Sequence, residues 1–126
     1  MSEIIGIGTD MCAVSRMETA IQRTHFYERV FFENERVYLE SKENARAQSA
    51  AAMFAAKEAV SKALGTGFIR GIMPWTIEVT HDEHGKPCVV LHDAAKEKIE
   101  SIGGKRVHLS LTHEGAMALA FAMIEG

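Results

Sequence analysis

The stretch from Arg46 to Leu64 constrains the fold more than any other, because it is crowded with alanine: Ala50, Ala51, Ala52, Ala55, Ala56, Ala59 and Ala63. Alanine is the strongest helix former, and its small side chain lets a neighbouring backbone come close. The stretch predicts one long central helix ending at Gly65, a residue free to take the left-handed conformation that closes helices. Met53, Ala56, Val60 and Leu64 share a face that packs inward, while Glu58 and Lys62, four apart, share another. That pair reads in two ways. It is an ordinary surface ion pair worth about 0.2–0.5 kcal/mol, or it brings a carboxylate and an ammonium, with the turn Gly65-Thr66-Gly67, to one helix end where a metal and a phosphate could be held.

What surrounds this helix follows from pattern. Glu3 to Gly8 is a short apolar run with glycines and predicts a buried strand, its glycines allowing another backbone or a ligand to approach. Asp10 follows at the strand's end, facing a cleft or cation or else opening the next helix. Ser15 and Glu18 form a capping-box pattern that predicts a helix from about Ser15 to His25. Phe26 to Phe32 reads as an aromatic turn on the core, and Asn34 as the cap of a short helix through Leu39. Trp75–Thr80 and Cys88–Leu91 read as strands joined by the polar turn His81–Pro87, and Ala94–Ile102 as a short amphipathic helix. Lys105–Thr112 alternates, with Val107, Leu109 and Leu111 opposite Arg106, His108, Ser110 and Thr112. Met117–Ile124 pairs back on it, and its alanines 116, 118, 120 and 122 leave room for a packed helix. The whole predicts a single α+β domain over residues 1–126, with a mainly antiparallel sheet packed on the long central helix.

Composition narrows the function classes. At 126 residues, 47% apolar and 25% charged, the chain can bury a core without staples. Its net charge of −3 gives no broad basic field for nucleic acid or an anionic membrane, so an acidic partner must meet a local patch. Cys12 and Cys88 match no paired motif and suit a reducing cytosol. No secretory signal pattern and no run near the ~20 apolar residues of a membrane span are visible. These features place the protein in the cytoplasm.

The candidate chemistry sits at element ends. There is no GxSxG elbow and no Walker loop. His81 and His84 lie in a polar turn and read as solvated. His108, beside Ser110 on a strand, reads either as a satisfied histidine or as a site residue. Asp10 and Glu58 together offer two oxygen ligands, and magnesium is held by one or two carboxylates completed by waters and substrate phosphates. Lys62 would complement phosphate charge. These residues point to metal-assisted transfer of a phosphate group. A non-catalytic binding module, and a magnesium-dependent hydrolase of a nucleotide diphosphate, remain as alternatives.

Five stretches in order, Gly6-Ile7-Gly8-Thr9-Asp10, Arg16-Met17-Glu18, the segment Phe54 to Gly67, Gly85-Lys86-Pro87, and His108 to His113, together resemble the stand-alone holo-[acyl-carrier-protein] synthase group of the phosphopantetheinyl transferases. The resemblance implies transfer of the phosphopantetheine arm of coenzyme A to a serine of apo acyl carrier protein in fatty acid biosynthesis, releasing adenosine 3′,5′-bisphosphate. It implies magnesium on Asp10 and Glu58 and a diphosphate contact from Lys62, with Glu58, directly or through a metal-bound water, as the base. It places coenzyme A along Lys62, Gly65, Thr66, Gly67, Gly85, Lys86, Pro87 and His108, and sets Arg16, with Arg23, against the acidic carrier. It also implies a homotrimer whose sites lie between subunits. One position departs: Met53 stands where many relatives have a phosphate-binding arginine, and Arg46 or Lys42 could supply that charge.

Overall fold

A computed structural model describes residues 2–126. Its centre is α4 (Arg46–Ala63), the alanine-rich helix, buried on nearly every side. Ala50, Ala55, Ala56, Ala59 and Val60 are fully buried, and so are Met53 and Leu64 to within a few per cent, as the inward face requires. The helix closes as its sequence predicts: Gly65 has φ +90°, and its amide donates to the Lys62 carbonyl at 2.9 Å.

One side of α4 lies on an antiparallel sheet ordered β1 (Ile4–Ala13), β5 (Met117–Glu125), β4 (Arg106–Glu114). Gly8 pairs with Ala122, Asp10 with Ala120 and Cys12 with Ala118, so small residues of β1 and β5 alternate toward the helix. Ala118, Ala120 and Ala122 are fully buried there. The approach is so close that a Cβ on Gly6 would overlap the carbonyl of Ala63, and one on Gly8 the carbonyl of Ala59. The N-terminal glycines therefore admit a backbone, the central helix itself. The hairpin β2 (Ile77–His81) and β3 (Pro87–Leu91) forms a separate two-stranded sheet, so the antiparallel strands divide into two sheets. α5 (Asp93–Ser101) precedes β4.

Several boundaries differ from the sequence pattern. β1 continues past Gly8 through Asp10 to Ala13, and the Val14 amide still donates to Ala116 O at 2.8 Å. The chain thus enters α1 (Val14–Ala20) directly from the sheet, and Ser15 falls inside the helix with no capping bond. The helix stops at Ala20, and the aromatic stretch forms its own helix, α2 (Thr24–Val30), with Phe26 against Phe31 and Phe54 at 6.4 Å. α3 (Glu33–Glu40) is entered at Phe32, whose amide bonds Glu35 Oε1 at 2.8 Å; Asn34 reaches Glu78 across the fold at 3.4 Å instead of capping.

The other side of α4 carries a feature with no counterpart in the sequence pattern. Lys57 is fully buried and pairs with Glu35 Oε1 at 2.8 Å. Its ammonium also donates to the carbonyls of Pro74 at 3.0 Å and Ile77 at 2.5 Å, while Glu35 Oε2 accepts from the Val79 amide at 2.7 Å. Every polar atom of the pair is answered, the condition under which buried charges are tolerated. The pair ties α3, α4 and the start of β2 together. Among the described residues no helix is long and apolar enough to cross a membrane.

Candidate active site

Strand parity brings Asp10 to α4. Along β1, Gly8, Asp10 and Cys12 face the helix, and Ile7, Thr9 and Met11 face outward. α4 presents Glu58 and Lys62 one turn apart. Lys62 Nζ donates to Asp10 Oδ1 at 3.1 Å and to the Thr9 carbonyl at 3.0 Å. The Asp10 side chain is 14% exposed and that of Lys62 50%, so the ammonium stays open to an incoming anion. Glu58 is half-buried, and burial pushes its carboxyl above the usual range; the charge and hydrogen bonding of Asp10 push the same way, while Lys62 and Arg16 pull it back.

Two carboxylates thus face each other with a single ammonium beside them. A divalent cation suits this donor set: it would relieve the repulsion that raises Glu58, and two oxygen ligands leave positions for water and phosphate. Among the described residues no third histidine, cysteine or acid joins them. Just beyond lies the turn Gly65-Thr66-Gly67, where the amides of Thr66 and Gly67 both donate to Ser61 O, at 3.2 and 3.0 Å.

Two concavities open from different faces of α4, where Met53 and Phe54 point about 100° apart. The first, about 370 Å³, brings Tyr38, Lys42, Met53 and His81 together with Gly85, Pro87 and His113. The second, about 700 Å³, runs past Arg16, Met17, Arg23, Phe26 and Phe54. Phe54 lies one turn before Glu58, so this groove approaches the carboxylates.

Some residues singled out in the sequence stand elsewhere. His108 is on the outer face of β4 and pairs with Glu125 at 2.9 Å; His113, at the far end of the strand, lines the first cavity. Lys86 is exposed on the turn, its amide bonded to Asp82 at 2.8 Å. Arg46 is held by Glu40 at 3.1 Å and lies over Tyr27, away from Met53, whereas Lys42 lines the cavity beside Met53. His81 corrects the reading of a solvated turn. It is half-buried and stacked on Tyr38 with ring centroids 3.9 Å apart, and burial followed by Lys42 lowers its pKa. Its place as the last residue of β2 was the available signal. Lys42 and Tyr38 come from α3 and its end, a juxtaposition only the fold creates.

A sequence model of the 4′-phosphopantetheinyl transferase superfamily matches residues 6–120, and the chain belongs to that family. Within it, the chain is similar to the holo-[acyl-carrier-protein] synthase of Clostridium tetani, 47% identical over 98% of this chain and 97% of that one. The crystal structure of holo-[acyl-carrier-protein] synthase from Neisseria meningitidis superposes with a TM-score of 0.87 at 32% identity, covering 98% of this chain and 100% of that one. A holo-(acyl-carrier-protein) synthase from Bacillus anthracis, solved in complex with coenzyme A (3′,5′-ADP), superposes with a TM-score of 0.80 at 35% identity, covering 98% and 97%.

Proposed function

We propose that this chain transfers the 4′-phosphopantetheine group of coenzyme A to a serine of an apo acyl carrier protein. The serine oxygen forms a bond to the phosphorus of the pantetheine phosphate. The bond from that phosphorus to the bridging oxygen breaks, adenosine 3′,5′-bisphosphate leaves, and the serine proton is taken up. The single observation that carries this reading is the meeting of Asp10, Glu58 and Lys62 at the end of α4 in a chain of this family.

The residues have distinct parts. A carboxyl held above its usual range is a better proton acceptor near neutrality, and Glu58 is the base for the serine. Lys62, half exposed, meets diphosphate oxygens as a point charge. Asp10 and Glu58 would hold magnesium, which when bound neutralises charge on the diphosphate. The cavity of Lys42, Tyr38, His81, Gly85, Pro87 and His113 takes the nucleotide end of coenzyme A, with Lys42 supplying the cation that Met53 does not. Met53 lies five residues before Glu58, about 8 Å along the helix, a span one coenzyme molecule bridges. Arg16 and Arg23 on the second groove meet the acidic carrier. The outer sheet face, with Ile7 62% and Met11 57% exposed beside Met117, Leu119 and Phe121, supports assembly into a homotrimer. Both cysteines are free, which agrees with a cytoplasmic setting.

The test is a mass-shift assay. Purified protein, magnesium and coenzyme A are incubated with a panel of apo carriers, and a phosphopantetheine mass appears on at least one. Asp10→Asn and Glu58→Gln each lower the rate at least about a hundredfold, within the range expected for loss of a catalytic group, with circular dichroism unchanged. No mass gain on any carrier overturns the reading; binding without turnover identifies a carrier-binding module instead.

A further inference from the structure

α4 carries Glu58 and Lys62 to Asp10, yet its contact with the sheet does not by itself set which way the helix is turned. On that side Gly6 and Gly8 lie against the carbonyls of Ala63 and Ala59, and Ala118, Ala120 and Ala122 complete the surface. Glycine on alanine is a contact without interlocking side chains. It fixes how near the helix lies and leaves rotation about the helix axis to contacts on the far side.

Lys57 stands on that far side, two residues before Ala59 and about 200° around the helix. An ammonium has three donors, and three acceptors surround this one: Glu35 Oε1 at 2.8 Å, Pro74 O at 3.0 Å and Ile77 O at 2.5 Å. They come from three elements, α3, the short 3-10 turn Pro74–Thr76 and β2. Glu35 is itself fixed by backbone, Oε1 accepting from the Phe32 amide at 2.8 Å and Oε2 from the Val79 amide at 2.7 Å. The rings of Phe31 and Phe32 close the remaining space around the ammonium, at 5.8 and 5.1 Å. A buried ion pair adds little stability over packed apolar side chains, and its best-attested use is to fix register.

We infer that Lys57 is a positioning residue: its lock on Glu35, Pro74 and Ile77 sets the rotation of α4 and so holds Glu58 and Lys62 against Asp10. Glu58 follows Lys57 directly, about 100° further round the helix. Side chains reach about 5–6 Å from a helix axis, so a turn of about 20° carries the Glu58 carboxylate about 2 Å. A misplacement of about 1 Å costs a reaction up to about a hundredfold, so the chemistry is sensitive to a lock that touches no substrate. The inference rests on the transferase reading and deepens it: Lys57 governs the geometry of the site, not the binding of the carrier.

The test removes the lock and keeps a fold to measure. Lys57→Met with Glu35→Gln takes away the ammonium and the partner charge together. Its kcat for transfer falls at least about tenfold, while the KM for carrier, met by Arg16 and Arg23 outside α4, stays within about twofold of wild type. A crystal structure of the double variant shows α4 turned on β1 and the 3.1 Å contact of Lys62 with Asp10 lost. Ile99→Ala, which removes buried volume under α5, lowers the urea midpoint and leaves kcat and the contact in place. A folded double variant with wild-type kcat, or with α4 unmoved, overturns the inference and leaves the transferase reading standing. An equal fall of kcat in Ile99→Ala overturns it also, since the effect is then lost stability. Where the double variant does not fold, Glu35→Asp decides: it keeps the charge, draws the carboxylate back by one bond and lowers kcat at least about threefold at an unchanged carrier KM; wild-type kcat there overturns the inference. Wild-type protein that transfers to no carrier removes the transferase reading and the positioning role together.

Discussion

Lys57 occupies the costliest position available to a lysine, with no exposed surface. Burial pushes its pKa down and that of Glu35 up, and the attraction between the two opposes both shifts. Removing one partner strands the other, and Lys57→Met should cost about 3–5 kcal/mol. Lys57→Met with Glu35→Gln should cost less, because a neutral amide replaces the stranded carboxylate and still accepts a backbone N–H. Urea unfolding of the two variants measures the difference. Tyr27 offers a pH-dependent counterpart. Burial, then its 2.5 Å bond to Glu40, raises its phenol from 10.0 to about 12. A raised phenol favours the protonated fold, so its stabilisation is full below pH ~10 and fades as pH climbs toward about 12. In the folded protein, Tyr27→Phe should remove the phenolate absorbance step near pH 12. The sequence pattern reached Asp10, Glu58 and Lys62 because a helix period and a strand end place them in plain view, though their shared role came from resemblance. It passed over Lys57, one residue from Glu58, because nothing in the helix period says that α3 and β2 will cover that face. It singled out His108 for its place on a polar strand face; in the fold His108 pairs with Glu125, and His113 lines the cavity.

At the scale of elements, the site depends on how closely β1 lies on α4. Gly8 and Asp10 share the strand face toward the helix, so any group that lifts Gly8 also lifts Asp10 from Lys62. Gly8→Ala sets its methyl against the Ala59 carbonyl, within a packed backbone contact that cannot yield cheaply. It should lower stability by about 1–3 kcal/mol, lowering the urea midpoint, and reduce transfer beyond what that loss explains, read as a lower kcat in protein that is still folded. The central helix and its glycine end were legible because alanine density and Gly65 act locally. The length of β1 was not. Its inward residues after Gly8 are small or polar, its outward ones apolar apart from Thr9, and this inverted alternation disguises the strand. The capping box at Ser15 failed for a related reason: a strand that runs to Ala13 leaves no turn in which to build a cap.

That inverted alternation becomes intelligible at the scale of the molecule. An antiparallel sheet commonly buries one face and wets the other. Here the inner face meets α4 through glycine and alanine, and the outer face carries Ile7, Met11, Met117, Leu119 and Phe121, all exposed in a single chain. A contiguous apolar patch of this kind is a liability unless another surface covers it. The homotrimer proposed for the chain removes it by setting three such faces together. Phe121, paired with both Thr9 of β1 and Ser110 of β4, lies on the middle strand at the centre of the patch. Phe121→Asp places a charge where three copies would meet and leaves the helix-facing alanines untouched. Light scattering should then move from three times the 13.9 kDa chain mass to one, with circular dichroism preserved. If the proposed trimer sets its sites between subunits, transfer should fall with it, because each pocket would lose one wall. A variant that stays trimeric, or a monomeric one with full activity, would separate the apolar face from the active assembly.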